Sequence, residues 1–308
     1  MIKTLPIFYF RPMIVSIDDD INVLNSLTTL LSKKFKITTF LEPNEFLAFI
    51  NKHCSPLTGL NLLRGCEESE YNDLHNSLVE FKFSEIHNLF NQQDQLSSTV
   101  AVITLDYSMP TTDGVSLSKQ LNDYTVKKIL FTGSDNYELG HQARDDELID
   151  RFVNKSVNPE HLLEIIEELT FKYYETITNS LKQHIEAETP LPLSDKLFVN
   201  YCLKLFKKLK IKGYYLIDKD GALCMISEDE QKYLLTIYTA NSLDQVGRLI
   251  KDEPSLIDTY TLITQRKKIP LKHLSYEEFD LVSLSENLVE PELLLGKEVY
   301  YFNIRILD

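Results

Sequence analysis

Long apolar runs are missing from this chain of 308 residues. No stretch approaches the roughly 18 consecutive apolar residues of a membrane span. The patch Ile7-Phe8-Tyr9-Phe10 is too short for a secretory signal and lacks its small-residue cleavage pattern. A cytoplasmic protein without a membrane partner is therefore expected. Cysteine is scarce as well: Cys54, Cys66, Cys202 and Cys224 are scattered, with no C-x-x-C pair, so no disulfide framework is expected. Positive charge is in deficit, with 32 Lys and Arg against 46 Asp and Glu and a net charge of −14. That balance opposes attraction to DNA, RNA or anionic lipid, and any nucleic-acid role needs a local basic face.

What is present is a folded composition, 43% hydrophobic and 25% charged, at a length that favours two cores. Ile14-Val15-Ser16-Ile17 reads as a strand ending in Asp18-Asp19-Asp20, and Val23, Leu24, Leu27, Leu30 and Leu31 recur at helical spacing behind it. Lys36 to Leu41 alternates as a second strand, and Pro43 opens a helix over Phe46, Leu47 and Ile50. Val100 to Leu105 is a continuous apolar strand stopping at Asp106, Lys128 to Phe131 another stopping at Thr132, and Arg151 to Asn154 a short one stopping at Lys155. Helical segments around Gly114 to Leu121 and Tyr137 to Arg144 lie between them. Five β/α units of this kind predict an α/β fold, a doubly wound five-stranded parallel sheet whose strand ends bring Asp18, Asp19, Asp106, Thr132 and Lys155 together. Asp20 and Asp113 read as ordinary helix caps.

The acidic pair Asp18-Asp19, the box Asp106-Tyr107-Ser108-Met109-Pro110-Thr111-Thr112-Asp113-Gly114, the hydroxyl of Thr132 and the lysine Lys155 resemble, in order, the marks of the receiver (CheY-like) domain of two-component response regulators. The resemblance covers Met13 to Glu168 and implies a flavodoxin-like fold. It implies that Asp106 accepts a phosphoryl group from a phosphohistidine of a sensor histidine kinase or a phosphotransfer protein. It also implies an Mg2+ site made by Asp18, Asp19, Asp106 and the Ser108 carbonyl, with Asp19 binding directly and Asp18 through water. Phosphoryl transfer to a carboxylate brings negative charge toward negative charge, which is why a cation and the ammonium of Lys155 are required. Thr132 and Phe152 match the family's switch positions. Two departures are visible: Ser156 follows Lys155 where proline is usual, and Gly133 follows Thr132 where alanine is common.

Residues 51–98 are far longer than an α-to-β connection needs. Tyr71, Leu74, Leu78, Phe81, Ile86, Leu89 and Phe90 give them an approximate helical period, so a helical insertion is expected. His53, Cys54, Cys66, His75 and His87 fall here too, at spacings that match no tight zinc knuckle. From Pro159 a stripe of Leu162, Ile165, Ile166, Leu169, Tyr173, Ile177, Leu181 and Ile185 predicts an extended helix, open to two readings: a dimerising coiled coil or core packing against the next domain. The expected division is a receiver over residues 1–170, an extended helix and linker over 171–193, and a smaller α+β output domain over 194–308. In the last, Ser194 is the expected cap of a helix from Asp195 to Lys210. A hairpin then flanks Asp218-Lys219-Asp220-Gly221, helices cover Leu243 to Ile250 and Leu256 to Thr264, and Val299 to Ile306 closes as a strand. Gly213 to Asp218 and Gln265 to Pro270 resemble an uncharacterised output module of some bacterial response regulators, which implies no activity.

Ser194 to Asp308 carries 16 basic and 18 acidic residues. Its basic stretches are Lys204, Lys207, Lys208, Lys210 and Lys212, then Arg266, Lys267 and Lys268, with no helix-turn-helix and recognition helix behind them. Two functions stay open. One is a signalling response regulator, non-enzymatic beyond its own phosphotransfer and slow dephosphorylation, switching homodimerisation or an output contact with a downstream protein. The other is an atypical DNA-binding transcriptional regulator set in a quorum-sensing circuit.

Overall fold

The computed structural model describes residues 2–54, 98–133, 137–182, 192–218, 220–272 and 281–307. The expected helical insertion lies almost wholly outside them, as do Cys66, His75 and His87 of the candidate zinc set. The chain divides into two compact units, one of which includes Phe10 and the receiver-like segment to Ile185, the other Ile2–Tyr9 and Glu186–Asp308.

A first short strand, β1 (Phe8–Phe10), is taken up below with the second unit. In the first unit the order is β2 (Met13–Ile17), α1 (Ile21–Leu31), β3 (Lys36–Phe40), α2 (Pro43–His53), β4 (Val100–Asp106), α3 (Gly114–Gln120), β5 (Lys127–Thr132), α4 (Tyr137–Asp145), β6 (Arg151–Asn154) and α5 (Pro159–Lys182). The strands form one parallel sheet in the order β3-β2-β4-β5-β6. The apolar runs are unbroken because both faces are covered: every residue of β2 and β4 is buried. Phe46 and Ile50 of α2, Leu117 of α3 and Ala143 of α4 pack on one face with Val15, Ile17, Ile103 and Leu130. Helices α1 and α5 lie together, with α5 against β4 and β5. On α5, Leu162, Ile166, Leu169, Tyr173 and Ile177 are buried, while the side chains of Leu181 and Ile185 lie outside the described residues. Asp20 caps α1 by accepting from the Asn22 N–H at 2.8 Å, Asp113 caps α3 by accepting from that of Ser116 at 2.8 Å, and Pro43 stands in the first turn of α2.

The second unit is an α+β arrangement: α6 (Lys196–Lys208), β7 (Ile211–Leu216), β8 (Leu223–Ser227), β9 (Lys232–Tyr238), α7 (Ala240–Ile250), α8 (Ile257–Thr264), β10 (Ile269–Pro270), α9 (Leu281–Glu286), β11 (Leu288–Val289), β12 (Glu292–Leu295) and β13 (Val299–Leu307). Six strands form a sheet ordered β1-β7-β8-β9-β13-β12, with β7 through β12 antiparallel to their neighbours. Aromatic contacts seat α6 on one face: Phe198 on Tyr300, Tyr201 on Phe302 and Phe206 on Tyr214, with centroids 5.8, 4.9 and 4.6 Å apart. Tyr238, Leu243, Val246, Ile250 and Ile263 form the core on the other. The cap of α6 is Asp195 and not Ser194, which belongs to a preceding 3-10 turn, Pro192–Ser194. Asp195 is buried because its carboxylate has three donors, the N–H groups of Leu197 (2.8 Å) and Lys297 (2.5 Å) and the Tyr300 hydroxyl (2.9 Å). Among the described residues no helix is long and apolar enough to cross a membrane.

Strand β1 pairs with β7 at the edge of this sheet, giving the Ile7–Phe10 patch a role unassigned from its sequence. Leu5, Ile7, Phe8 and Tyr9 are buried. The Ile7 carbonyl accepts from the Leu216 N–H at 2.7 Å, the Leu193 carbonyl from the Leu5 N–H at 2.9 Å, and Tyr9 stacks on Tyr214 at 6.0 Å.

Candidate functional site

In a parallel sheet, residues just past the carboxyl ends of neighbouring strands are brought side by side. Strand β2 delivers Asp18 and Asp19, β4 ends in Asp106, β5 in Thr132, and β6 is followed by Lys155. The register sets their depth: Asp106 lies opposite Phe131, and Thr132 opposite Asn154. The Lys155 N–H donates to the Thr132 carbonyl at 2.8 Å. Asp18, Asp106 and Thr132 are buried, and Asp19 is exposed at the rim.

The Lys155 ammonium lies between two carboxylates, 2.8 Å from Asp106 Oδ1 and 2.6 Å from Asp18 Oδ2. Asp18 Oδ1 accepts from the Asp20 N–H at 3.0 Å and Asp106 Oδ2 from the Ser108 N–H at 3.2 Å. Sequence reasoning anticipated Lys155 against Asp106; its second contact, to Asp18, was missed. Burial pushes the Asp106 carboxyl above the ordinary range of a carboxylate, Asp18 and Asp19 add to the rise, and the bond from Lys155 opposes it. For Lys155 burial works against the charged form, but Asp106 and Asp18 outweigh it and hold the ammonium above its usual value.

One carboxylate oxygen from each of Asp18, Asp19 and Asp106 lies within 4.8 Å of the others. A hexacoordinate magnesium ion with ligands at about 2.1 Å spaces those ligands about 3–4 Å apart, so this donor set fits a hard divalent cation. Three carboxylates and one ammonium also leave a local charge deficit that such an ion would balance. His53 and Cys54 are the only members of the candidate zinc set among the described residues. The Cys54 thiol is pushed up to about 12 by burial, which disfavours the thiolate that zinc needs.

Gly114 is required where it stands, because a Cβ there would overlap the Asp106 carbonyl. Phe152 is half-buried against the core, its ring lying on the α4 backbone at Gly140 so closely that a Cβ on Gly140 would overlap it. Asn154 was missed from the sequence: its side-chain oxygen accepts from the Ser156 N–H at 2.8 Å and the Ser156 hydroxyl at 2.6 Å. The N-x-S spacing was the available signal, since Asn closes turns onto the residue two further on. In the second unit, Lys204, Lys207, Lys208 and Lys210 are exposed, but other basic residues are engaged internally. Arg266 ties α8 to α7 through the Ala240 carbonyl (3.2 Å) and Asp244 (2.5 Å), and Lys212 pairs with Glu230.

No family model matches the chain, and no curated protein matches it. Among solved structures it is similar to the response regulator LqsR of Legionella pneumophila, at 20% identity over 98% of this chain and 89% of that one, with a TM-score of 0.74. A CheY-like receiver domain of Methanospirillum hungatei JF-1 aligns at 20% identity over 54% of this chain and 98% of its own, with a TM-score of 0.35. The receiver domain of the Francisella response regulator 1452 aligns at 18% over 54% and 99%, also at 0.35. The likeness to LqsR shows a shared fold across nearly the whole chain, and the five-stranded parallel sheet with its flanking helices is the flavodoxin-like fold expected from the sequence.

Proposed function

We propose that the chain is a response regulator of two-component phosphorelay signalling in which Asp106 accepts a phosphoryl group from a sensor histidine kinase or a phosphotransfer protein. The observation that carries this reading is the Lys155 ammonium bridging Asp18 and Asp106 at the strand ends of a parallel sheet. A carboxylate oxygen of Asp106 attacks phosphorus in line with the bond to the donor imidazole nitrogen. That P–N bond breaks, its electron pair stays on the imidazole, and an acyl phosphate remains on Asp106. Lys155 transfers its pairing from the Asp106 carboxylate to the incoming phosphoryl oxygens. A magnesium-class cation bound by Asp18, Asp19, Asp106 and the Ser108 carbonyl would neutralise charge on those oxygens. Thr132, one strand away, donates its hydroxyl to a phosphoryl oxygen, and Phe152 reorients as Thr132 moves. The output is a change in homodimerisation or in the contact of the second unit with a downstream protein partner. No catalytic turnover beyond phosphotransfer and slow dephosphorylation is part of this reading.

Incubation with a small acyl-phosphate donor and Mg2+ is expected to label the wild type and not Asp106→Asn. Labelling of that variant at an unchanged rate overturns the assignment. Light scattering of the eluting protein, with and without donor, tests the dimer. A second reading, a DNA-binding output, rests on the exposed Lys204, Lys207 and Lys208 of α6. It requires salt-dependent DNA retention that weakens when Lys207 and Lys208 are neutralised, and no retention at low salt sinks it.

A further inference from the structure

We infer that Asn154 is a positioning residue for Lys155, an inference that rests on the reading of Asp106 as phosphoacceptor. A lysine side chain has four rotatable bonds and a single charged end, so where its ammonium dwells depends on how firmly its backbone is fixed. Lys155 is the first residue beyond β6 and has left the protection of the strand. Its own N–H is tied back to the Thr132 carbonyl at 2.8 Å, and the Asn154 carbonyl closes the turn by accepting from the Val157 N–H at 2.9 Å. The Asn154 side chain supplies the remaining restraint. Its Oδ1 reaches across Lys155 and takes both donors of Ser156, the N–H and the hydroxyl. Lys155 is thus bracketed by hydrogen bonds from the residues on either side of it. The backbone bond is possible because the residue after the lysine is serine: a proline there would have no N–H to give. Asn154 and Ser156 together form the clamp that keeps the ammonium on Asp18 and Asp106.

The clamp makes two separable predictions for the full-length protein. Loosening it frees the ammonium from the seat it shares with a cation, so Asn154→Ala should bind Mg2+ several-fold more tightly than wild type, in a titration followed by the fluorescence of Tyr107 and its neighbours. It should also take label from an acyl-phosphate donor about tenfold more slowly, since the charge that meets the phosphoryl group is misplaced. Asn154→Asp, which keeps the acceptor oxygen, should restore the labelling rate, and matched thermal melts establish that all variants are folded. Both effects should vanish on a Lys155→Met background, because Asn154 acts through Lys155. Wild-type Mg2+ affinity in Asn154→Ala, or effects of equal size with Lys155→Met present, overturns the inference. If the wild type takes no label while the Lys155-dependent Mg2+ shift stands, the phosphoacceptor reading falls and the positioning role survives.

Discussion

Removing Asp106 from water disfavours its ionised form, and the folded site holds its carboxyl above the ordinary value of 3.8. Between that value and the folded pKa the native state binds more protons at Asp106 than the unfolded chain does. Stability from this group is therefore fully present below 3.8 and is lost as pH rises through the folded pKa. Asp106→Asn lacks this term. Its unfolding free energy in urea should gain on that of wild type as pH rises through the window and then level off. A variant that loses ground instead would show that Lys155 outweighs burial. The strand-end residues Asp106 and Thr132 were legible because a buried strand must stop where the chain turns polar, and each ends such a run; Lys155 follows the short, mostly half-buried β6. The Asp18 contact of Lys155 was not legible, because a long flexible side chain reaches several neighbours and only the folded geometry selects among them. The Asn154 clamp was hidden for another reason: Ser156 stood out only as a departure from a pattern.

At the scale of elements, glycine inside a helix ordinarily costs about 1 kcal/mol relative to alanine. Gly140, within α4, offsets that cost by letting the Phe152 ring of β6 lie on the helix backbone. Gly140→Ala should therefore lower stability, by about 1–3 kcal/mol, since overpacking outweighs the gain in propensity. In a Phe152→Leu background the same change should be neutral or favourable. Thermal melts of the four proteins of this cycle decide it, and an additive result would mean the ring and helix do not meet. The β/α alternation of the first unit was readable among the described residues because, apart from the long segment between α2 and β4, its crossovers repeat one pattern. Strands β9 and β12 were passed over. Glu292-Leu293-Leu294-Leu295 lacks the period-two alternation that marks a strand, and β12 is an edge strand whose Leu293 and Leu295 remain largely exposed. For α6, Ser194 was the expected cap, and Asp195 takes that place. Asp195 prevails because its carboxylate also reaches the β12–β13 turn and Tyr300, contacts remote in sequence.

On the scale of the whole molecule, two compact units share one chain whose ends are not distributed as a reading by composition suggests, since residues 2–9 belong with the second unit. Fully burying side chains such as Leu5, Ile7, Phe8 and Tyr9 contributes roughly 1.5–3 kcal/mol each. Their sum is comparable with the whole stability of a domain, about 5–15 kcal/mol. Deleting residues 2–9 should abolish cooperative melting of the second unit, read by hydrogen exchange at β7 and β8. Labelling at Asp106 should persist, because Asp18, Asp106 and Lys155 all lie in the other unit. Protection of β7 unchanged by the deletion would contradict the sheet order. The partner of Ile7–Phe10 was illegible for a physical reason: strand pairing leaves no local mark of a mate about two hundred residues away.

The same distance sets a timetable. At about 5–20 residues per second, a ribosome makes Ile7-Phe8-Tyr9-Phe10 some 10–40 s before it makes β7. Throughout that interval a strongly apolar strand has no mate while the parallel sheet that follows it folds. The second sheet is completed only when late-made residues recover an early-made one, so slow synthesis or a late truncation leaves a sticky edge seeker on an otherwise finished unit.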